Sequence, residues 1–215
     1  MSKITAFFGG SFDPPHYGHL GIARAALASG RCSHVEWFPA AEPPHKLNAS
    51  RAPFHHRMNM VRNLIAGENS MSVSDFENRL AISPSYTIDV LTALEEETNE
   101  KYKLLIGADS LLNLHTWHEA EKLVRSTDFI IYPRAGAEIT KEQLLCHWDP
   151  QTVEKLLSSL ISGTFFEISS TEMKKTMEKN QFRGNIMQKE GFPPEIADYI
   201  CEHQLYQIEH TKGML

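Results

Sequence analysis

The chain has 215 residues, of which 41% are hydrophobic and 22% are charged, and its formal net charge is −6 at pH 7. This composition is typical of a globular protein and excludes an intrinsically disordered chain. The acidic balance argues against a protein that binds nucleic acid through a broad basic face. No apolar run approaches the roughly 20 residues that a membrane-spanning helix needs.

Cysteine usage and the N-terminal segment suggest a cellular compartment. Cys32, Cys146 and Cys201 are far apart and odd in number, which argues against a disulfide framework and for a reducing compartment. The first residues lack the long apolar segment of a secretory signal, so we expect a cytoplasmic protein. The length fits one domain, and we expect residues 1–215 to form it.

Short apolar runs alternate along the chain with segments of helical spacing. The predicted strands are Ile4–Phe8, His34–Phe38, Met71–Val73, Tyr102–Ile106, Phe129–Tyr132 and Phe165–Ile168. The predicted helices are Leu20–Ala28, Phe54–Ala66, Ile88–Leu94, one or two short helices in Leu111–Val124, peripheral helices in 137–163 and a proline-started helix in Pro193–Tyr206. This alternation predicts an α/β fold, a parallel sheet with helices on both faces and a small C-terminal helical part.

The segment Gly9–Leu20 is the most informative, because it follows the first strand and leads into the first helix. Gly9 and Gly10 permit positive φ and a close approach of the backbone to a ligand. The N–H groups at a helix start lack partners and lie at the positive end of the helix dipole, so they bind phosphate. His16 and His19 are three residues apart and would share one face of that first turn. The segment therefore predicts a turn that holds a phosphate chain.

Two alternatives exist for the histidine pair, a tight turn with two surface histidines and a metal site. No third ligand is spaced with the pair, and the pair lacks the glutamate of a zincin motif. We therefore expect no metal that is ligated by the protein itself.

The segment Gly9–Leu20 resembles the signature of the nucleotidyltransferase superfamily that carries a His-x-Gly-His motif. Five further segments resemble, in family order, the bacterial nicotinate mononucleotide adenylyltransferases. These are Pro43–Lys46, Ser85–Asp89, Leu105–Ser110, His115–Trp117 and Ile168–Thr171, and the C-terminal Tyr199–Tyr206 extends the match. The resemblance thus covers nearly the entire chain.

The resemblance implies a Rossmann-like fold and adenylyl transfer from ATP to nicotinate mononucleotide, giving deamido-NAD and pyrophosphate. The acceptor phosphate would attack the α-phosphorus of ATP directly, so no side-chain nucleophile is needed. Mg²⁺ would be carried by the ATP phosphates. The implied partners are these two small molecules, without nucleic acid or membrane, and a homo-oligomer stays open as an alternative.

The resemblance also assigns the site residues. The expected catalytic residues are His16, His19 and Lys46. The residues expected to contact ATP are Gly9, Gly10, Ser11, Phe12, His16, Gly18, His19, Arg134, Ser169, Ser170 and Thr171. The residues expected to contact nicotinate mononucleotide are Ser11, His45, Lys46, Tyr86, Thr87, Gly107, Asp109, Trp117 and His118.

Several of these residues also have an ordinary structural explanation. Asp109 is a favoured helix N-cap, Trp117 is a candidate core residue, and Lys46 could be a solvated surface lysine. Ser169 and the glutamate three residues on form the pattern of a capping box. The family usually has an arginine at the position of Lys174, and lysine keeps the charge but loses the bidentate fork.

The identity of the acceptor is predicted from the resemblance and from one local sequence pattern. Tyr86 and Thr87 supply hydroxyl and amide donors at a predicted helix start, which suits a carboxylate better than a carboxamide. An adenylyltransferase for nicotinamide mononucleotide or phosphopantetheine stays an alternative, as does a non-catalytic nucleotide sensor. A tRNA synthetase is disfavoured, because the chain has neither a tRNA-binding extension nor a Lys-Met-Ser-Lys-Ser segment.

Overall fold

The computed structural model describes residues 3–41, 51–133, 139–163, 170–179 and 193–206. Within these ranges, five strands form one sheet: β1 Thr5–Gly10, β2 His34–Pro39, β3 Met71–Val73, β4 Tyr102–Gly107 and β5 Asp128–Tyr132. Five predicted strands are therefore confirmed, with small shifts at their ends. The sixth, Phe165–Ile168, lies outside the described residues.

The strand order is β3-β2-β1-β4-β5 and all neighbours are parallel. The chain moves outward from β1 to β3, then returns to pair β4 with β1 before it continues to β5. At such a reversal the segments that follow the two central strands diverge and leave a crevice at the carboxyl edge of the sheet. The turns after β1 and β4 therefore border the same crevice.

Helices connect the strands and cover the sheet. They are α1 Tyr17–Ala28, α2 Phe54–Leu64, α3 Phe76–Leu80, α4 Thr87–Thr98, α5 Ala108–Leu112, a 3₁₀ turn Leu114–Thr116, α6 Ala120–Ser126, α7 Lys141–Leu145, α8 Pro150–Ser158, α9 Ser170–Lys179 and α10 Pro194–Glu202. The predicted helices are found, although α1 starts one turn earlier than its apolar spacing indicated. Pro150 and Pro194 occupy first helical positions, where the missing N–H costs nothing.

The alternation of side chains along the strands fills two cores, one on each face of the sheet. In β1, Ala6 and Phe8 join the core beneath α1, α2 and α10, whereas Phe7 joins the core beneath α4, α6 and α8. In β4, Leu105 joins the first of these cores and Leu104 joins the second. Helices on both faces are what the near-continuous apolar strands predicted.

The cysteines are free thiols, and Cys32 is buried whereas Cys146 and Cys201 are exposed. Burial raises the pKa of the Cys32 thiol to about 11. Across the parts of the chain that the structure describes, no helix has the length and apolar character needed to cross a membrane.

Candidate active site

The turn between β1 and α1 owes its shape to an aromatic residue in the left-handed region. Phe12 has φ of 45°, whereas neither Gly9 nor Gly10 has positive φ, so the predicted conformational reason for these glycines is wrong. Both are instead the last residues of β1, and they leave room for aromatic rings. A Cβ on Gly9 would lie 2.8 Å from Cε1 of Phe7, and one on Gly10 would lie 2.9 Å from Cζ of Phe12.

Aromatic packing holds Phe12 in this conformation, which costs a non-glycine residue about 1 kcal/mol or more. Its ring packs 5.3 Å from Phe8, 5.0 Å from Trp37 and 5.1 Å from the imidazole of His19, measured between centroids. The turn is therefore fixed from beneath by the buried core, and His19 is part of that packing.

The two histidines lie together at the start of α1, as their spacing predicted. His16 is the N-cap and is buried, and its ring centroid lies 3.8 Å from that of His19. The backbone N–H of His16 donates to Nδ1 of His19 over 3.3 Å. Because Nδ1 accepts this bond, the proton of the neutral His19 ring is on Nε2. The fold thus selects the tautomer of His19 that can donate through Nε2.

Asp13 joins this turn to three distant segments. Its carboxylate, 6% exposed, accepts hydrogen bonds from the backbone N–H of Ala52 over 3.1 Å and from the hydroxyl of Tyr206 over 2.6 Å, and it pairs with Lys174. Burial and the neighbouring carboxylate raise the pKa of the Tyr206 hydroxyl, which keeps its proton and donates. Tyr206, the last residue that the structure describes, is therefore hydrogen-bonded directly to the turn.

Arg57, only 1% exposed, lies behind the same turn. Its guanidinium donates to the carbonyl of Ala52 over 3.1 Å and to the carbonyl of Ser11 over 2.9 Å. Burial lowers the pKa of Arg57 to about 10, so the group is still a cation at neutral pH. It adds positive charge behind the turn where phosphate is expected.

A cavity of about 560 Å³ opens beside the turn, at the crevice between β1 and β4. Seven of the predicted site residues line it: Gly9, Gly10, Ser11, Tyr86, Thr87, Trp117 and His118. Other lining residues, which were not assigned to the site from the sequence, include Ala40, Glu77, Ser85 and Ser110. A volume of this size accommodates a nucleotide-sized ligand.

Another part of the cavity wall combines flat rings with a helix start. Thr87 is the first residue of α4 and Tyr86 is its N-cap, which confirms the predicted helix start. The Tyr86 ring stacks on His118, with centroids 4.1 Å apart and planes at 22°. Trp117, half-buried, ends the 3₁₀ turn beside them. The wall thus offers amide donors next to aromatic faces, which suits a flat anionic ring.

Comparison with known proteins identifies the family. The profile of the cytidylyltransferase-like family matches residues 7–176. A probable nicotinate-nucleotide adenylyltransferase of Desulfotalea psychrophila is 35% identical over 96% of this chain and 100% of its own length. A protein of the same printed name from Gloeobacter violaceus is 33% identical over 97% of this chain and 98% of its own length. The chain belongs to the nicotinate-nucleotide adenylyltransferase family.

A solved structure supports this family assignment. The nicotinic acid mononucleotide adenylyltransferase of Plasmodium falciparum, complexed with NaAD, superimposes with a TM-score of 0.76 at 25% identity, covering 95% of this chain and 98% of that one. The Rossmann-like fold and the family resemblance expected from the sequence are therefore confirmed.

Other predicted site residues lie near the cavity without lining it. Phe12, His16, Gly18 and His19 belong to the adjoining turn and the first turn of α1. Gly107 is the N-cap of α5 and Asp109 lies exposed in the first turn of that helix, so the N-cap explanation for Asp109 is wrong.

The start of α9 approaches the turn from the other side. The hydroxyl of Ser170 donates to the carbonyl of Pro14 over 2.9 Å, and Thr171 is exposed next to it. Lys174, which stands where the family usually has arginine, lies one turn further and pairs with Asp13. This helix start is thus attached to the turn between β1 and α1. The predicted His45, Lys46, Arg134 and Ser169 lie outside the described residues.

Proposed function

We propose that this adenylyltransferase transfers the adenylyl group of ATP to nicotinate mononucleotide, producing deamido-NAD and pyrophosphate. The observation that carries the proposal is that the Gly9–Ser11 turn, the Tyr86–Thr87 helix start and Trp117 line one cavity. One wall suits phosphate and the other suits an anionic aromatic ring, so a mononucleotide would place its phosphate next to the turn. The family's solved relative with NaAD supports this assignment.

The chemistry needs alignment rather than a protein nucleophile. An oxygen of the acceptor phosphate forms a bond to the α-phosphorus of ATP, and the bond from that phosphorus to the bridging oxygen breaks, leaving pyrophosphate with the electron pair. The acceptor oxygen is already anionic, so no general base is required. The barrier comes from bringing two anions together and from charge on the transferring and leaving groups.

The residues of the turn match these requirements. His19 donates through Nε2 to a phosphate oxygen, because its Nδ1 is occupied by the His16 N–H. His16, Gly18 and the first N–H groups of α1 supply the neighbouring donors. Lys46 and Arg134 are proposed to add positive charge from segments outside the described residues, and the start of α9 adds hydroxyl groups from the other side.

The carboxylate of nicotinate is proposed to bind at the start of α4. The backbone N–H groups in the first turn of α4 and the hydroxyl of Thr87 are donors. Donors bind a carboxylate better than a carboxamide, whose own N–H groups would face them. The pyridine ring would lie against Trp117 and the Tyr86–His118 stack. Asp109 and Gly107, at the end of β4, are proposed to contact the ribose.

Mg²⁺ is proposed to enter bound to the ATP phosphates. Among the residues that the structure describes, no group of three or more histidine, cysteine or acidic side chains is arranged to hold a metal ion. The carboxylate in the turn, Asp13, is already engaged by Ala52, Tyr206 and Lys174. A Mg²⁺ ion that enters in this way would keep water and phosphate oxygens as its ligands, and its charge would offset that of the phosphates.

A pyrophosphate-release assay with ATP and a panel of acceptors tests the proposal. The panel contains nicotinate mononucleotide, nicotinamide mononucleotide and phosphopantetheine, and mass spectrometry identifies the dinucleotide product. We expect the highest kcat/KM with nicotinate mononucleotide and a product of the mass of deamido-NAD. ATP binding without pyrophosphate release with any acceptor would refute the proposal and favour a nucleotide sensor.

A further inference from the structure

A buried carboxylate in the cavity wall connects two segments that border the acceptor side. Glu77 lies on the short helix α3 and is 7% exposed. Its Oε2 accepts two hydrogen bonds, from the hydroxyl of Ser85 over 3.0 Å and from the backbone N–H of Ala41 over 3.2 Å. One oxygen atom therefore joins the start of the segment after β2 to the residue that precedes the N-cap of α4.

Both partners of Glu77 adjoin residues that shape the cavity. Ser85 immediately precedes Tyr86 and Thr87, the N-cap and first residue of α4. Ala41 follows Ala40, which lines the cavity and whose N–H donates to the carbonyl of Gly10 over 2.9 Å. The bonds of Glu77 thus set the separation between the helix start and the turn that carries phosphate.

This carboxylate is costly to bury, and an apolar side chain would fill the same space without that cost. Burial raises the pKa of Glu77 to about 7, while the bonds from Ser85 and Ala41 and the charge of Arg57 act in the opposite direction. A group kept in a cleft despite such a cost is a candidate for a role in function.

We propose that Glu77 is a positioning residue for the acceptor mononucleotide, which acts by holding Ser85 and Ala41 at the distance that the acceptor requires. This inference rests on the proposed function, because it takes the cavity to be the acceptor site. In this role Glu77 acts through these two segments and not through contact with the reacting atoms. Its loss therefore affects the KM of the acceptor more than the KM of ATP or kcat.

Steady-state kinetics of two variants test this role. Glu77→Ala removes the accepting oxygen, and we expect the KM for nicotinate mononucleotide to rise about tenfold, with the KM for ATP within about twofold of wild type. Glu77→Gln keeps an oxygen that can accept from Ser85 and Ala41, so its acceptor KM stays within about threefold of wild type. A general loosening of the fold would not distinguish these two substitutions or these two substrates.

Asp75→Ala is the matched control, because Asp75 is the N-cap of the same helix and its exposed carboxylate pairs with Arg79. We expect wild-type KM values for it. An unchanged acceptor KM in Glu77→Ala, an equal rise for both substrates, or an equal effect of Asp75→Ala would overturn the proposal.

Ser85→Ala keeps the proposal testable if Glu77→Ala does not fold. This variant removes one of the two bonds to Oε2, and we expect the acceptor KM to rise about threefold or more, whereas an unchanged value would overturn the proposal. The wild-type enzyme in the same assay separates the two levels of inference. A wild type inactive on nicotinate mononucleotide refutes the proposed function and this role together. An active wild type with unaltered variants refutes only the role of Glu77.

Discussion

Replacing His19 by asparagine separates its structural role from its catalytic one. In the structure Nδ1 accepts the N–H of His16, so the proton of the neutral ring is on Nε2, which is the proposed donor to phosphate. An asparagine Oδ1 can take the place of Nδ1 as an acceptor, but nothing replaces Nε2. His19→Asn therefore keeps the start of α1 and removes one donor from the reaction.

The expected magnitudes differ sharply between stability and turnover. The retained bond is long, at 3.3 Å, so an imperfect replacement costs about 1 kcal/mol of unfolding free energy. Loss of the ring contact with Phe12 adds about 0.5–1.5 kcal/mol. For a chain of this length, a total of about 2 kcal/mol shifts Tm by about 4–8 °C. Loss of a donor to a phosphate oxygen in the transition state typically lowers kcat about 10²–10³-fold, equivalent to about 2.7–4 kcal/mol.

The assay combines thermal unfolding with pyrophosphate release at saturating substrates. His19→Ala is the companion variant, because it loses the N–H acceptor as well and should unfold at a lower temperature than His19→Asn with a similar loss of kcat. Near-normal turnover of folded His19→Asn would refute the assignment of Nε2 as the catalytic donor.

Four further substitutions test the surrounding structure and the proposed site. Tyr206→Phe removes a hydrogen bond to the Asp13 carboxylate and should lower the unfolding free energy by about 1.5–3 kcal/mol in denaturant titrations. Tyr199→Phe, whose hydroxyl has neutral partners, should cost about 1 kcal/mol, and a larger loss than for Tyr206→Phe would contradict the argument. Trp117→Ala should raise the acceptor KM about fivefold or more without changing the KM for ATP, and equal rises would count against ring stacking. Lys46→Ala should lower kcat at least about tenfold if the lysine neutralises phosphate, and full activity would indicate a solvated side chain.

The parts of the fold that depend on local pattern could be predicted from the sequence. The strands are short, largely apolar runs that stand out from the segments between them. The segment Gly9–Leu20 combines a strand end with a helix start, so the position of the turn between β1 and α1 could be predicted from it. The start of α4 at Thr87 was equally readable, because the apolar spacing of the helix begins just after it. These features lie within a few residues of one another, and local propensity decides them.

The features that were missed depend on contacts between distant segments. Asp13 was read as part of a turn, but its partners Ala52, Lys174 and Tyr206 lie 39, 161 and 193 residues further along the chain. Glu77 follows Asp75 in a short polar stretch that is typical of an exposed helix, and only the packing of α3 buries it. No local signal distinguishes such a carboxylate from its solvated neighbour.

The glycines of the turn give a second example of this limit. The sequence suggested that Gly9 and Gly10 were needed for their backbone freedom, yet Phe12 has the positive φ. The glycines are needed because the rings of Phe7 and Phe12 occupy the space where a Cβ would stand. Which side chain fills that space is decided by the core, which a single sequence does not display.

The most direct test of the acceptor site is the ratio of kcat/KM for nicotinate and nicotinamide mononucleotides, measured with wild-type enzyme at saturating ATP. A helix start that presents donors to a carboxylate predicts a preference for nicotinate of about 10²-fold or more, because the carboxamide would place donors against donors. Equal values for the two acceptors would contradict the assignment of the Thr87 helix start as the site that recognises the pyridine carboxylate.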